Sequence, residues 1–176
     1  MITMIYFTSD LHLGHRGIIE MCDRPFESVD KMNQTLIRNW NSIVNKNDTV
    51  YILGDLTHKL TVSEANAIIR TLNGKKVLIK GNHDKNYDES LFEEICDFKE
   101  VTFNGISFSL MHYPMLSWPK SHRGSIHLHG HMHNKQEYNL KMKEEGIRRY
   151  DVGVDANNYV PISLQTLLSF LELEDK

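Results

Sequence analysis

Long apolar runs are missing from this sequence. No segment approaches the roughly 18 to 20 apolar residues that a helix needs to cross a bilayer, so a membrane-spanning role is not expected. Cysteine is scarce as well: Cys22 and Cys96 are too few and too far apart for a disulfide framework, and neither has a partner at zinc-finger spacing. A reducing compartment fits that usage. The stretch from Met1 to Asp10 has neither the basic leader nor the apolar core of a signal peptide, so the expected location is the cytoplasm. An excess of one charge is also lacking, with 20 Lys and Arg against 23 Asp and Glu and a formal net charge of -3. Such a chain has no global attraction for polyanions, and nucleic acid is not favoured as a partner without a local basic patch. There is no repeat, low-complexity tract or linker, and a length of 176 residues with 40% hydrophobic content suits one domain over 1–176.

What the chain does carry is histidine, ten residues of it, several beside acids and glycines. The surrounding pattern is α/β. Short β-prone runs lie at Met4–Thr8, Thr49–Leu53, Lys76–Ile79, Ile106–Leu110 and Ser125–Leu128. Val29, Met32, Leu36, Trp40 and Ile43 recur at steps of three and four, which predicts a helix capped by Ser28 with Trp40 buried on its apolar stripe. Thr61 and Glu64 have capping-box spacing, and Gly74 stands where that second helix should close. A third helix is expected over about Ser90–Asp97 and a last one from Ser163 to about Leu171. Asn104-Gly105 between β-prone runs is a hairpin signal. Strands alternating with helices early, then pairing locally, predict an α/β sheet whose later part turns antiparallel.

Each β-prone run is followed by chemistry. Asp10 and His12 follow the first, Gly54-Asp55 the second, Gly81-Asn82-His83-Asp84 the third, His112 the fourth, and Gly130-His131-Met132-His133 the fifth. Any one of these is a common turn, but ligands of α/β sheets gather beyond the carboxyl ends of strands, so the five can converge on one rim. Carboxylates, imidazoles and an amide oxygen without a thiolate suit manganese, iron, zinc or nickel rather than a structural zinc knot. Two such ions need roughly eight protein ligands if each keeps a place for water or substrate. The seven residues Asp10, His12, Asp55, Asn82, His112, His131 and His133 suffice if Asp55 bridges.

In order and identity, these motifs resemble the calcineurin-like metallophosphoesterase superfamily, over residues 8 to 133 at least. The resemblance implies two stacked mixed sheets flanked by helices, an αββα sandwich, and two divalent ions, with manganese favoured. It implies that Asp10, His12 and His133 hold one ion and Asn82, His112 and His131 the other, with Asp55 shared. His83 would act at the departing oxygen, and Asp84 would fix the His83 ring. The implied activity is hydrolysis of a small phosphate mono- or diester, possible nucleotides and cyclic nucleotides included, by a hydroxide held between the ions. The alternatives are a silent scaffold of the same fold that binds a protein partner, and a nuclease. The oligomeric state is not set by these motifs. One departure narrows the choice: Gly54-Asp55-Leu56-Thr57-His58-Lys59 lacks the second acid and the arginine of the protein phosphatases of this superfamily, which argues against phosphoprotein substrates. The helix after Ser28 lengthens the interval from Asp10 to Asp55 and is expected to shape the substrate entrance.

Some residues read two ways. His15 and Arg16 are candidates for contact with the substrate phosphate, or an ordinary helix-starting surface pair. Trp118 and Arg123 could stack on a base and neutralise phosphate, or Trp118 could simply pack on the sheet rim. His127 and His129 read better as supporting or packing residues than as ligands, and His58 as a loop residue. The Asp151 to Asp155 run is expected to brace the rim.

Overall fold

The computed structural model describes residues 3–173. Two sheets are packed face to face. The first has the order β4-β3-β2-β1-β9, built from β1 Ile5–Thr8, β2 Thr49–Ile52, β3 Lys75–Ile79, β4 Glu94–Cys96 and β9 Ile162–Ser163. β1 to β4 are mutually parallel, and β9 joins β1 antiparallel. The second has the order β5-β6-β7-β8, from β5 Phe98–Phe103, β6 Ile106–Met111, β7 Ile126–His129 and β8 Arg149–Asp151. Asn104 and Gly105, both with positive φ, close the β5-β6 hairpin between paired Phe103 and Ile106, as the sequence predicts.

Period-two alternation splits the apolar residues between two cores. Phe7, Leu53, Val77 and Ile79 of the first sheet meet Phe108, Leu110, Ile126, Leu128 and Tyr150 of the second. On the other face of the first sheet, Tyr6, Val50, Ile52 and Leu78 meet the helices α2 Val29–Ile43 and α3 Val62–Thr71. α4 Gln136–Glu144 lies against β8, and α5 Leu164–Phe170 contacts β1 and β9. The αββα layering expected of the fold is present. Among the described residues no helix is long and apolar enough to cross a membrane.

The two long helices form as their sequence dictates. Ser28 accepts a hydrogen bond from the Lys31 N–H at the start of α2, and Met32, Leu36 and Trp40 are buried along its stripe. Trp40 is fully enclosed, and its Nε1 donates to the Asn73 carbonyl at 2.9 Å, so the one polar atom of the indole is satisfied. α3 opens on the reciprocal Thr61–Glu64 capping box.

Four expectations need correction. Ser90–Asp97 is not a helix: after one tight turn at Glu89–Leu91 the chain extends and adds β4 to the edge of β3, with Leu78 opposite Ile95. The exposed edge of β3 offers unpaired backbone groups, and satisfying them overrides a weak helical preference. Gly74 does not close α3, whose cap is Leu72; it takes the left-handed turn that leads into β3. The later strands are antiparallel only in the β5-β6 hairpin, whereas β6-β7 and β7-β8 are parallel, because a long loop and then α4 carry the chain back each time. α2 turns its stripe into the core and does not wall the entrance. That task falls to α1 Gly17–Met21, which the sequence analysis did not recover.

Candidate metal centre

Because β1, β2 and β3 run parallel in one sheet and β6, β7 and β8 in the other, the loops after their last residues meet at one rim. The structure gathers all seven predicted metal ligands there, in two groups. In the first, His12 Nε2 and His133 Nε2 each lie 3.8 Å from Asp10 Oδ1. In the second, Asn82 Oδ1 lies 3.0 Å from His112 Nε2 and 3.1 Å from His131 Nδ1, and the two imidazole nitrogens are 3.2 Å apart. Asp55 stands between the groups. Its Oδ1 accepts the His83 N–H at 2.8 Å, while Oδ2 lies 3.4 Å from His12 Nε2 and 3.5 Å from His112 Nε2.

Neighbouring bonds aim these donors. Asp10 Oδ2 accepts the hydroxyl of Ser9 and the backbone N–H of His131, so that Oδ1 alone faces the group. His112 Nδ1 is held by the Leu53 carbonyl at 2.7 Å, leaving Nε2 with its lone pair toward Asn82 and Asp55. His133 Nδ1 sits 3.0 Å from Asp155 Oδ2, with the same consequence for its Nε2. Asp10 Oδ1 and His12 Nε2 are buried and have no hydrogen-bond partner. An unpaired buried polar atom costs roughly 1 to 3 kcal/mol. A bound cation removes that cost, so the donor set fits the divalent ions that the fold implies.

The backbone is strained at the same places. Asp10, His12, Asp55, His131 and His133 have φ of 56°, 51°, 53°, 70° and 49°, in the left-handed region that side chains larger than glycine seldom occupy. Such residues cluster where function over-determines the chain. Two glycines permit the convergence: a Cβ on Gly130 would strike Ser9 Oγ and Asp10 Oδ2, and one on Gly54 would strike the His112 ring.

The electrostatics suit a cation. Burial works to raise the Asp55 pKa, but the nearby His12 and His112 rings outweigh it and hold the carboxyl at about 2. The Asp10 pKa is lowered against the same burial by His12 and His133. Both are therefore carboxylates at neutral pH. Burial lowers the pKa of His15 to about 4, with repulsion from His58 and His12 adding to it, and lowers that of His58 also.

The remaining predicted site residues divide. His83 is at the rim, with its ring 5.5 Å from that of His12 and 4.1 Å from that of His58. His58, read from sequence as a loop residue, sits between His83 and His15. His15 lines a cleft of about 480 Å³ with His12, His83 and His133, walled by Ile18, Met21 and Met132. Arg16 is exposed at the start of α1 and does not line that cleft. Trp118 packs on the His127 ring and bonds the Ser125 carbonyl, while Arg123 lies near the Asn104-Gly105 turn, at the opposite end of β6 and β7. Neither reaches the rim. His127 is pinned between the Ser109 carbonyl and the Met115 N–H, and His129 between the Gly130 carbonyl and the Tyr138 hydroxyl, so both are supporting residues.

Asp84 requires a correction. It makes no bond to the His83 ring, because both carboxylate oxygens are already taken: Oδ2 by the N–H groups of Asp55 and Gly81, Oδ1 by the Leu56 N–H and the Tyr87 hydroxyl. It therefore braces the backbone that presents Asp55. Asp84→Ala is expected to lower stability by at least ~2 kcal/mol, since several buried donors lose their acceptor, and to weaken metal binding by roughly 10 to 100-fold. Denaturation and metal titration check both. Unchanged metal affinity with a fall in turnover alone would instead restore a role through His83.

Residues that the sequence analysis missed include Arg24 and Tyr87, which carry no motif and are recognisable only from their partners in the fold. Asp155 does brace the rim as expected, through His133.

The surrounding fold and sequence have relatives. An uncharacterized protein of Methanocaldococcus jannaschii is 39% identical over 171 residues, covering 96% of this chain and 91% of that protein. The gene 66 protein of Mycobacterium phage L5 is 29% identical over 182 residues, covering 86% of each. A protein of unknown function from Aquifex aeolicus, solved by crystallography, superposes with a TM-score of 0.76 at 30% identity, covering 96% of this chain and 99% of that one. The model of the calcineurin-like phosphoesterase family matches residues 3–156, a span that holds every member of both donor groups, and the chain thus belongs to this family of metal-dependent phosphoesterases.

Proposed function

We propose that the rim holds two divalent transition-metal ions and hydrolyses a small phosphate mono- or diester, a class that includes nucleotides and cyclic nucleotides. Asp10, His12 and His133 would hold one ion, and Asn82, His112 and His131 the other. The position of Asp55 Oδ2, 3.4 Å from a nitrogen of one group and 3.5 Å from a nitrogen of the other, carries the reading, because an oxygen so placed would be within reach of both ions. Carboxylate, imidazole and amide donors suit manganese, iron, zinc or nickel, and the preference for manganese rests on the resemblance to the family. When bound, such a pair supplies Lewis acidity at phosphorus and a water-derived nucleophile at neutral pH.

The chain's own groups do the rest. The Asp55 and Asp10 carboxylates stay ionised at neutral pH and balance the cations. Bonded neighbours fix the direction of the Asp10, His112 and His133 donors before substrate arrives, so these need no reorganisation at the moment of reaction. His83 lines the cleft shared with His12 and His15, which supports a reading in which the leaving alcohol sits there. Its imidazole would deliver a proton to the departing oxygen.

The test is a panel of monoesters, diesters and cyclic nucleotides offered to manganese-loaded protein. Turnover of at least one class, abolished by chelator and restored by manganese, is expected. No turnover of any ester by protein that binds two ions would favour a scaffold that retained the site.

A further inference from the structure

Arg24 lies just beyond α1, and its side chain is completely enclosed. It makes four short bonds. Nε donates to Asp155 Oδ1 at 3.0 Å and Nη2 to Asp155 Oδ2 at 2.8 Å, a bidentate grip on the carboxylate. Nη1 donates to the Leu11 carbonyl at 2.9 Å and Nη2 to the Asp10 carbonyl at 2.7 Å. The carboxylate it grips is the one that holds His133 Nδ1 at 3.0 Å. One guanidinium thus ties the strained Asp10–His12 turn to the segment after β8 and, through Asp155, to the loop after β7. The second donor group is held differently: the Leu53 carbonyl sets His112, Asp84 accepts the Gly81 N–H beside Asn82, and Asn82 and His131 are more open.

We infer that Arg24, acting through Asp155, is a positioning residue for one metal position only, that of Asp10, His12 and His133. The inference rests on the two-ion reading above. Two features separate this role from plain packing. Apart from a longer contact of Nη1 with Met32 Sδ at 3.5 Å, the planar Arg24 fork bonds oxygens on the backbone of Asp10 and Leu11 and on Asp155, which belong to or flank this one donor group. Asp155, for its part, spends one oxygen on the ring nitrogen of His133 that faces away from the rim, which fixes the ring so that Nε2 points in. Partners of this kind behind a ligand typically change metal affinity by about 10 to 100-fold when lost. A lysine keeps the charge but cannot reproduce the fork.

The test is manganese titration of the full chain, read by calorimetry and by the electron paramagnetic resonance of the bound ions, at a temperature where every protein is folded. Wild-type protein should bind two ions and show the spectrum of a spin-coupled pair. Arg24→Lys should bind the first ion with unchanged affinity and the second about 10 to 100-fold more weakly, so that at intermediate manganese an isolated-ion spectrum replaces the coupled one. Breaking a buried pair on one side can prevent folding, so the double variant Arg24→Met with Asp155→Leu, which removes both charges, provides a second route to the same loss. Trp40→Phe, a core change remote from the rim, should lower the melting temperature without altering either affinity. Equal weakening of both positions, or of neither, in folded Arg24→Lys or in the double variant would overturn the role of Arg24. Failure of wild-type protein to bind a second ion would instead refute the two-ion premise, and the inference with it.

Discussion

Replacing Asp55 with asparagine is expected to weaken both metal positions together. Asparagine is nearly isosteric and can still accept the His83 N–H, so the turn should survive. What changes is the atom now 3.4 Å from His12 and 3.5 Å from His112: a carboxylate oxygen becomes either a neutral carbonyl oxygen or an amide group with hydrogens toward the cations. The loss should exceed the ~10 to 100-fold typical of an outer partner, because Asp55 would be a direct ligand to two ions. His12→Ala offers the contrast, since His12 belongs to one group and should mainly empty that position. Metal titration of the two variants separates the cases. Small and equal losses from both would contradict a bridging Asp55.

His83→Ala should retain both ions and lose turnover. The His83 side chain belongs to neither donor group, and only its backbone N–H contacts Asp55. General acid catalysis contributes about 100-fold to 10,000-fold, so hydrolysis of an ester with a poor leaving group should fall within that range. A nitrophenyl ester should lose less, because nitrophenolate departs without a proton. Comparable losses for both esters would assign His83 to stabilising the transferring phosphoryl group rather than to protonation. Loss of a metal ion from the variant, or full activity on both esters, would remove His83 from the chemistry.

The rim was legible in the sequence because each motif follows a strand, and parallel strands bring their ends to one side whatever the loops between them do. Ser28, Thr61–Glu64 and Asn104-Gly105 were legible for a related reason: a cap or tight turn depends on residues close in sequence. The misreadings arose where distant partners decide. Ser90–Asp97 lacks local evidence of the β3 edge that draws Glu94–Cys96 into the sheet. The family resemblance implied that Asp84 serves His83, but its carboxylate is turned toward backbone donors that include two 28 and 29 residues away in sequence. Arg24 meets Asp155 across 131 residues, and Arg24 itself stands in no recognisable pattern. For Trp118 and Arg123 the sequence left base binding and packing both open, and the fold separates them from the rim: β7 begins beside them and carries the chain away, leaving them at the other end of the sheet.

Anomalous diffraction from crystals of this chain grown with manganese tests the central claim most directly. Two peaks are predicted at the rim, about 3.5 to 4 Å apart as in two-metal hydrolases, one enclosed by Asp10, His12 and His133, the other by Asn82, His112 and His131, with Asp55 in contact with both. A single peak, or a pair that does not share Asp55, would contradict it.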